Sequence, residues 1–334
     1  MIKHIIWKKK SLRVLDQRLL PRRIAYVDCR TAEQVARAIK DMVLRGAPLI
    51  GCSAAFGMAL AARRRSRQAL ESAGRVLVKS RPTAVNLAHA VEAMLSAAAG
   101  ASPERLPGVV ARAAEDYFQA DLDYNRRMGV HGARLLKKGS VVITHCNAGA
   151  LATSGIGTAL GVIREAFRQG RISHVYADET RPYLQGSRLT LWELMEEGIP
   201  CTLITDSMAA HLMKTTRVDA VIVGSDRIAA NGDVCNKIGT YGLAIVARHH
   251  KVPFYAAAPT STIDPAMKDG AGIPIEERSA AEVLEVFGVA IAPKGARARH
   301  PGFDVTPARL VTAIITENGV VRHPGRPGIA KILR

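Results

Sequence analysis

Aromatic rings are scarce in this sequence, at 4% of residues. A core built from such a chain is aliphatic and alanine-rich, and hydrophobic residues, at 48%, are plentiful enough to form one. Acidic residues are also few: 29 Asp and Glu face 47 Lys and Arg, a formal charge of +18. The excess gathers in Lys8-Lys9-Lys10, in Arg63-Arg64-Arg65-Ser66-Arg67, from Arg297 to His300, and in the tail through Arg334. Basic clusters attract polyanions. No rings are interleaved to stack bases, so the expectation is a solvated basic surface with no specific nucleic-acid partner. The 5 cysteines (Cys29, Cys52, Cys146, Cys201, Cys235) are odd in number and widely spaced, without a Cys-x-x-Cys. That argues against a disulfide framework and a zinc site, predicts no metal, and fits a reducing cytoplasm. The uncharged run Ala47 to Ala62 is short for a membrane span and rich in Gly and Ala. The N-terminus has no apolar stretch of the signal-peptide kind.

At 334 residues the chain predicts one large or two medium domains. Residues 1–128 read mainly helical. A small hairpin pairs Ile5-Ile6-Trp7 with Leu12 to Leu15 across the lysines. Thr31-Ala-Glu-Gln34 is a capping box, opening a helix on Val35, Ile39, Met42 and Val43 that stops at Gly46, before Pro48. A buried helix spans Ile50 to Ala62, another carries Leu87, Val91 and Leu95, and a further one runs from about Glu104 to Arg127. From 129 to 334 strands alternate with helices. Strands are predicted at 141–144, 173–177, 201–205, 220–223 and 253–258. Helices are predicted at 154–168, 187–197, 207–214, 238–249, 279–286 and 306–315, with a loose tail over the last dozen residues. The fold class is therefore α/β: a mainly helical N-terminal domain, 1–128, and a Rossmann-like parallel-sheet domain, 129–334.

The stretch from Val141 to Gly161 organises the rest. It reads strand, loop, helix, with Cys146 at the carboxyl end of the strand, where ligands sit in open α/β sheets. Its Gly/Ala loop lets backbone amides approach an anion. Taken alone, Cys146 would be a small buried hydrophobe. Gly155, Gly157 and Gly161, with Asp178 about 20 residues on, nearly fit a dinucleotide fingerprint. The spacing is Gly-x-Gly-x-x-x-Gly, however, and lies too far from the strand for that motif. The other strand ends deliver Asp178, Asp206, Asp226 and the segment Ala258-Pro259-Thr260. A thiol and three carboxylates on one sheet edge form a site pattern, because charge there is costly to desolvate. Asp178 and Asp206 also suit helix caps.

Together these residues carry a family resemblance. Leu15-Asp-Gln-Arg-Leu-Leu-Pro21, Arg45-Gly-Ala-Pro48, Ser80-Arg-Pro-Thr-Ala-Val-Asn86, Thr144-His-Cys-Asn147, Asp178-Glu-Thr-Arg-Pro182 and Leu184-Gln-Gly186 are part of it. Asp226-Arg-Ile-Ala-Ala-Asn-Gly-Asp233, Asn236-Lys-Ile-Gly-Thr-Tyr241, Ile275-Glu-Glu-Arg278 and Phe303-Asp-Val-Thr-Pro307 extend it across the chain. The sequence resembles the methylthioribose-1-phosphate isomerases of methionine salvage, relatives of ribose-1,5-bisphosphate isomerases and of regulatory subunits of initiation factor 2B. The resemblance implies a cofactor-free aldose-to-ketose isomerisation of a sugar 1-phosphate, in a cytoplasmic homodimer. It makes Asp226 the acid/base and Cys146 its partner, with Arg45, Gly46, Ala47, Arg81, Gln185, Asn236 and Lys237 binding substrate.

The residue types suit those roles. Phosphate calls for Arg, Lys and backbone amides, and Gln185 suits neutral hydroxyls. Asn236-Lys237 are expected to open a helix whose dipole adds to the field. The apolar neighbours Ile228, Ala229 and Ala230 are expected to raise the pKa of Asp226 by desolvation. Ala148, Ser225 and Cys235 depart from residues common in the family (Thr, Ala and Ala) and bear on substrate preference. The same reaction on 5-deoxyribose 1-phosphate or ribose 1,5-bisphosphate, and a non-catalytic regulatory subunit, are the alternatives. An enolate route and a hydride shift both remain open.

Overall fold

The computed structural model describes residues 2–81 and 85–334; Pro82, Thr83 and Ala84 of the Ser80–Asn86 motif lie outside them. The chain forms two compact units: residues up to 125 with 149–157, and residues 126–148 with 158–334.

In the first unit, β1 (Ile5–Trp7), β2 (Leu12–Leu15) and β3 (Tyr26–Cys29) form an antiparallel sheet in that order, with the expected hairpin at the lysines. Helix α1 (Ala32–Lys40) starts at the predicted cap: the Thr31 hydroxyl accepts the Gln34 N–H. The Gln34 side chain accepts from Arg30 rather than from Thr31, so only half of the capping box forms. The helix ends at Lys40 and not at Gly46, because Met42 turns into the left-handed region (φ 59°). Helix α2 (Ala47–Ala62), with its first turn fixed by Pro48, is buried on all sides and packs on α1, α3 (Arg67–Ser80) and α4 (Val85–Ala97). Small residues permit this: Gly57 abuts Leu77, and Gly74 abuts Val91. Trp7 stacks on Phe56, whose ring also meets Phe118. Helix α5 (Leu106–Ala133) begins and ends later than expected.

The second unit is built on β4 (Ser140–Thr144), β5 (Ile172–Asp178), β6 (Cys201–Ile204), β7 (Ala220–Val223) and β10 (Phe254–Ala257), the five predicted strands. With β15 (Ala313–Thr316) and β16 (Gly319–Arg322) they make a sheet ordered β16-β15-β10-β7-β4-β5-β6. All neighbours are parallel except the β15–β16 edge pair. The chain enters at β4, proceeds to one side through β5 and β6, then returns to place β7, β10 and β15 on the other. The strand order therefore reverses between β4 and β7, the doubly wound arrangement. Strands β7 and β10 are buried along their whole length, as parallel strands covered on both faces must be. Helices α6 (Ala159–Arg168), α7 (Leu191–Glu196), α8 (Ala209–Thr215) and α9 (Thr240–His249) follow the strands.

A second sheet, β11-β8-β9-β14, is formed by β8 (Arg227–Ala229), β9 (Val234–Lys237), β11 (Ile263–Asp264) and β14 (Phe303–Thr306). It overturns two expectations. Residues 306–315 are not an α-helix but the last residue of β14, a single 3-10 turn (Ala308–Leu310) and most of β15. Asn236 and Lys237 end strand β9, and the helix after them starts only at Thr240. The expected helix at 279–286 shrinks to α10 (Ala281–Leu284), followed by the hairpin of β12 (Glu285–Val286) and β13 (Val289–Ala290). The tail is not loose: α11 (Arg326–Ile332) buries Ile329 and accepts a bond from the Asn318 side chain at its end. No helix among the described residues is long and apolar enough to cross a membrane.

Candidate active site

Strands β4 and β7 flank the point where the strand order reverses, and each ends beside a chemical group. Cys146 follows β4, and Asp226 lies between β7 and β8. The two turns approach closely: a Cβ on Gly224 would lie 2.7 Å from that of Ala148.

Cys146 adopts φ 63°, a left-handed conformation that costs a non-glycine residue about 1–3 kcal/mol. Two threonine hydroxyls hold it there. Thr180 Oγ1 accepts the Cys146 N–H at 2.8 Å, and Thr190 Oγ1 donates to the Cys146 carbonyl at 2.6 Å. The next residue is tied as firmly. Asn147 donates to Glu193, which accepts from Arg164, which also pairs with Glu197. Asp226 is half-buried beside Ile228 and Ala229, both fully covered, and its N–H donates to the Cys235 carbonyl at 2.9 Å. Burial, with the Asp226 charge next, pushes the Cys235 thiol up to about 12, so that thiol stays protonated near neutrality. The Ser225 hydroxyl bonds the carbonyls of Arg227 and Cys235 and so braces the same turn.

Lys237 is buried, its ammonium donating to the Gly302 carbonyl at 2.7 Å over the Phe303 ring. Asn236 donates to Thr240. The α9 dipole is already answered, because Asp304 accepts from Gly239 and Tyr241 at the helix start. That removes the helix from the anion field expected of Asn236 and Lys237. Gln185 follows β5 and is 4% exposed, yet its side-chain oxygen has no hydrogen-bond partner among the described residues.

The remaining expected residues lie in the first unit. Arg45 is buried. Gly46 caps α2 with φ 99°, and Ala47 is its first helical residue, so their amides belong to a helix start, which has no intrahelical acceptors. Arg81 is half-buried just past α3. Of the Gly/Ala loop after Cys146, which was expected to offer amides to an anion, the Gly155 and Gly157 amides instead both go to Thr153 Oγ1. His4, Gln17 and Asp121 clamp this loop through Thr153, Leu151 and Ser154, and α6 starts at Ala159 rather than at Ser154.

One group escaped sequence reasoning. In the sequence His145 stands only as a member of Thr144-His-Cys-Asn147, yet it is 2% exposed, with Nδ1 at 2.9 Å from Asp178 and Nε2 at 2.9 Å from the Ile238 carbonyl. Asp206 accepts from the Thr180 and Arg181 amides and lies 4.0 Å from the ring. Neither aspartate is a helix cap. Burial opposes charging of the ring, but the Asp178 bond and the charges of Asp178 and Asp206 outweigh it, and the His145 pKa is raised. Potential ligand atoms of His145, Asp178 and Asp206 lie within 4.8 Å of one another. The ring nitrogens and both Asp206 oxygens have hydrogen-bond partners, whereas Asp178 Oδ1 has none among the described residues.

Residues 43–323 match the Initiation factor 2 subunit family. The methylthioribose-1-phosphate isomerase of Chloroflexus aurantiacus is 54% identical over 333 residues, covering 97% of this chain and 96% of that protein. The Thermotoga neapolitana enzyme of the same name is 53% identical, covering 98% and 97%. The chain belongs to the methylthioribose-1-phosphate isomerase family. The crystal structure of 5-methylthioribose 1-phosphate isomerase from Pyrococcus horikoshii superposes with a TM-score of 0.94 at 42% identity, over 100% of this chain and 96% of that one. A structure described as translation initiation factor eIF-2B, subunit delta, from A. fulgidus gives 0.90 at 46% identity, over 100% and 99%. The isomerase fold thus accounts for both units and for the helical-then-parallel-sheet division expected from sequence.

Proposed function

We infer that the protein is an aldose–ketose isomerase converting 5-methylthioribose 1-phosphate to 5-methylthioribulose 1-phosphate. The observation that carries this reading is a thiol and a carboxylate leaving the two strands that flank the reversal of strand order, in a chain more than half identical to isomerases of that name.

The reaction needs no external oxidant. The hydrogen on C2 moves to C1, the bond from C1 to the ring oxygen breaks, and the C2 hydroxyl proton is lost as the ring oxygen gains one. One group must accept a proton and another must supply one, on an enolate route or a hydride shift alike. In this reading Asp226 is the acid/base and Cys146 its partner. Two threonines fix the thiol's backbone, and the Ser225 and Cys235 contacts fix the carboxylate's. Lys237, Arg81 and Arg45 supply positive charge for the phosphate, with the amides of Gly46 and Ala47 at the α2 start. Asn236 and Gln185 meet sugar hydroxyls. The buried, unsatisfied Gln185 oxygen supports its part, since such an oxygen costs about 1–3 kcal/mol until a donor reaches it.

The reading extends to a division into domains 1–128 and 129–334, a homodimer and a cytoplasmic location. Five free cysteines suit a reducing compartment. The test is ketose formation by the purified protein on 5-methylthioribose 1-phosphate, 5-deoxyribose 1-phosphate and ribose 1,5-bisphosphate. Preference for the first supports the reading. Turnover of only the second or third moves it to the corresponding relative, and no turnover of any favours a regulatory subunit.

A further inference from the structure

His145 stands next to the thiol and is bonded at both ring nitrogens. With Asp178 ionised, both partners are acceptors, and the imidazolium donates to the Asp178 carboxylate and the Ile238 carbonyl together. A neutral ring in either tautomer turns a lone pair on one of them. The elements packed round the ring supply the counter-charge: Asp178 at the end of β5, Asp206 beyond β6, and Asp304 on β14, whose charge also reaches the ring. Burial raises the pKa of the Asp178 carboxyl, and the opposing His145 bond and charge only reduce that rise.

The two partners sit at different places in the proposed chemistry. Asp178 anchors the ring on the Cys146 side, where Thr180 also holds the Cys146 amide. Ile238 lies between Lys237 and Gly239, at the turn that ends β9. Gly239 makes room for the ring: its φ is 103°, and a Cβ there would lie 2.8 Å from the imidazole Cε1. We propose that His145 is a positioning residue for the isomerisation, a charged tie that fixes the Cys146 turn and the turn after Lys237 in one register. The inference rests on the isomerase reading, and it concerns a residue to which that reading gives no contact with sugar or phosphate.

Two substitutions separate the two bonds. His145→Asn keeps an amide near the Nδ1 position and loses the Ile238 bond; His145→Gln keeps one near Nε2 and loses the Asp178 pairing. Steady-state kinetics on 5-methylthioribose 1-phosphate should then split. His145→Asn should raise KM about tenfold with kcat nearly kept, and His145→Gln should lower kcat about tenfold with KM nearly kept, the worth of one charged hydrogen bond each. If either variant fails to fold, Asp178→Asn replaces it. It keeps an acceptor and removes the charge; if loss of the His145 proton loosens the Ile238 tie, KM rises on an alkaline limb, and that limb should move to lower pH in Asp178→Asn. Wild-type kinetics in the variants, equal losses of kcat and 1/KM tracking a lowered Tm, or an unmoved alkaline limb would each overturn the proposal. Iodoacetamide alkylation of Cys146, followed by peptide mass, and calorimetric binding of inorganic phosphate are read on the same proteins. If the wild type turns over none of the sugar phosphates, the isomerase reading fails. The proposal then stands only if alkylation changes in His145→Gln and phosphate binding weakens in His145→Asn, and it falls if neither moves.

Discussion

Replacing Gly46 with alanine tests how the loop leaving Cys146 is held. The backbone at Gly46 has φ 99° and ψ 129°, a region essentially reserved for glycine, and an L-residue there costs about 1–3 kcal/mol. The added Cβ would lie 2.5 Å from Ala152 Cα and 2.6 Å from its carbonyl oxygen. These are backbone atoms in a loop already pinned by Gln17 and His4, so the clash cannot be relieved by a side-chain rotation. Overpacking of this kind adds about 1–3 kcal/mol, for a total of roughly 2–6 kcal/mol. The chain has 2 tryptophans, Trp7 in the first unit and Trp192 in the second. In a Trp192→Phe background, urea unfolding followed by fluorescence reports on Trp7 alone, whose ring lies 4.9 Å from that of Phe56. With a slope of about 2 kcal/mol per molar, the midpoint should fall by roughly 1 M or more. An unchanged Trp7 midpoint would refute the close approach of Gly46 to the loop.

Arg164→Ala leaves Glu193 buried without its cation and should cost about 3–5 kcal/mol, read by Trp192 fluorescence in a Trp7→Phe background; a loss below about 1 kcal/mol contradicts the buried network. For His145 the folded pKa is raised, so its stabilisation is complete below the unfolded value of about 6.5 and is lost as pH rises through the folded one. The Tm advantage of the wild type over His145→Gln should therefore shrink with rising pH, and an advantage that grows would reverse the assignment of charge. Gln185→Leu should leave Tm unchanged or raised while KM rises about 3–10-fold, the worth of a neutral hydrogen bond; a lowered Tm with normal KM makes Gln185 structural. Lys237→Ala and Arg81→Ala should each weaken substrate binding by about 1.5–3 kcal/mol, and unchanged kinetics in both would remove them from the phosphate.

The parallel sheet was legible because its strands are short β-branched or alanine-rich runs, four of the five predicted ones followed by a thiol or a carboxylate. Cys146 and Asp226 could be placed at strand ends on one sheet edge for that reason, and the strand order makes those strands neighbours. The stretch 306–315 misled because strands buried on both faces lose their alternation. Val311, Ile314 and Ile315 then mimic helical spacing. Strand β9 was missed because Val234-Cys235-Asn236-Lys237 ends in polar residues that no strand pattern marks as buried. Its place is set by pairing with β8 and β14, the latter about 70 residues downstream. The charged role of His145 depends on Asp178 and Ile238, partners brought to it only by the sheet order, so local sequence shows a histidine and nothing more. Composition marks the loop after Cys146 as open to an anion, whereas Thr153, a neighbour only by the turn's geometry, takes the Gly155 and Gly157 amides.

The central claim is that Cys146 and Asp226 act as one unit on the reacting carbons, and kinetics of Cys146→Ser, Asp226→Asn and the double variant on 5-methylthioribose 1-phosphate test it most directly. Each single change should lower kcat by about 10²–10⁴, the usual worth of a positioned acid or base. Tm and the affinity for inorganic phosphate should stay near the wild type, and the double variant should be little worse than the poorer single one. A Cys146→Ser protein with wild-type kcat and a lowered Tm would make the thiol a packing residue and contradict the account.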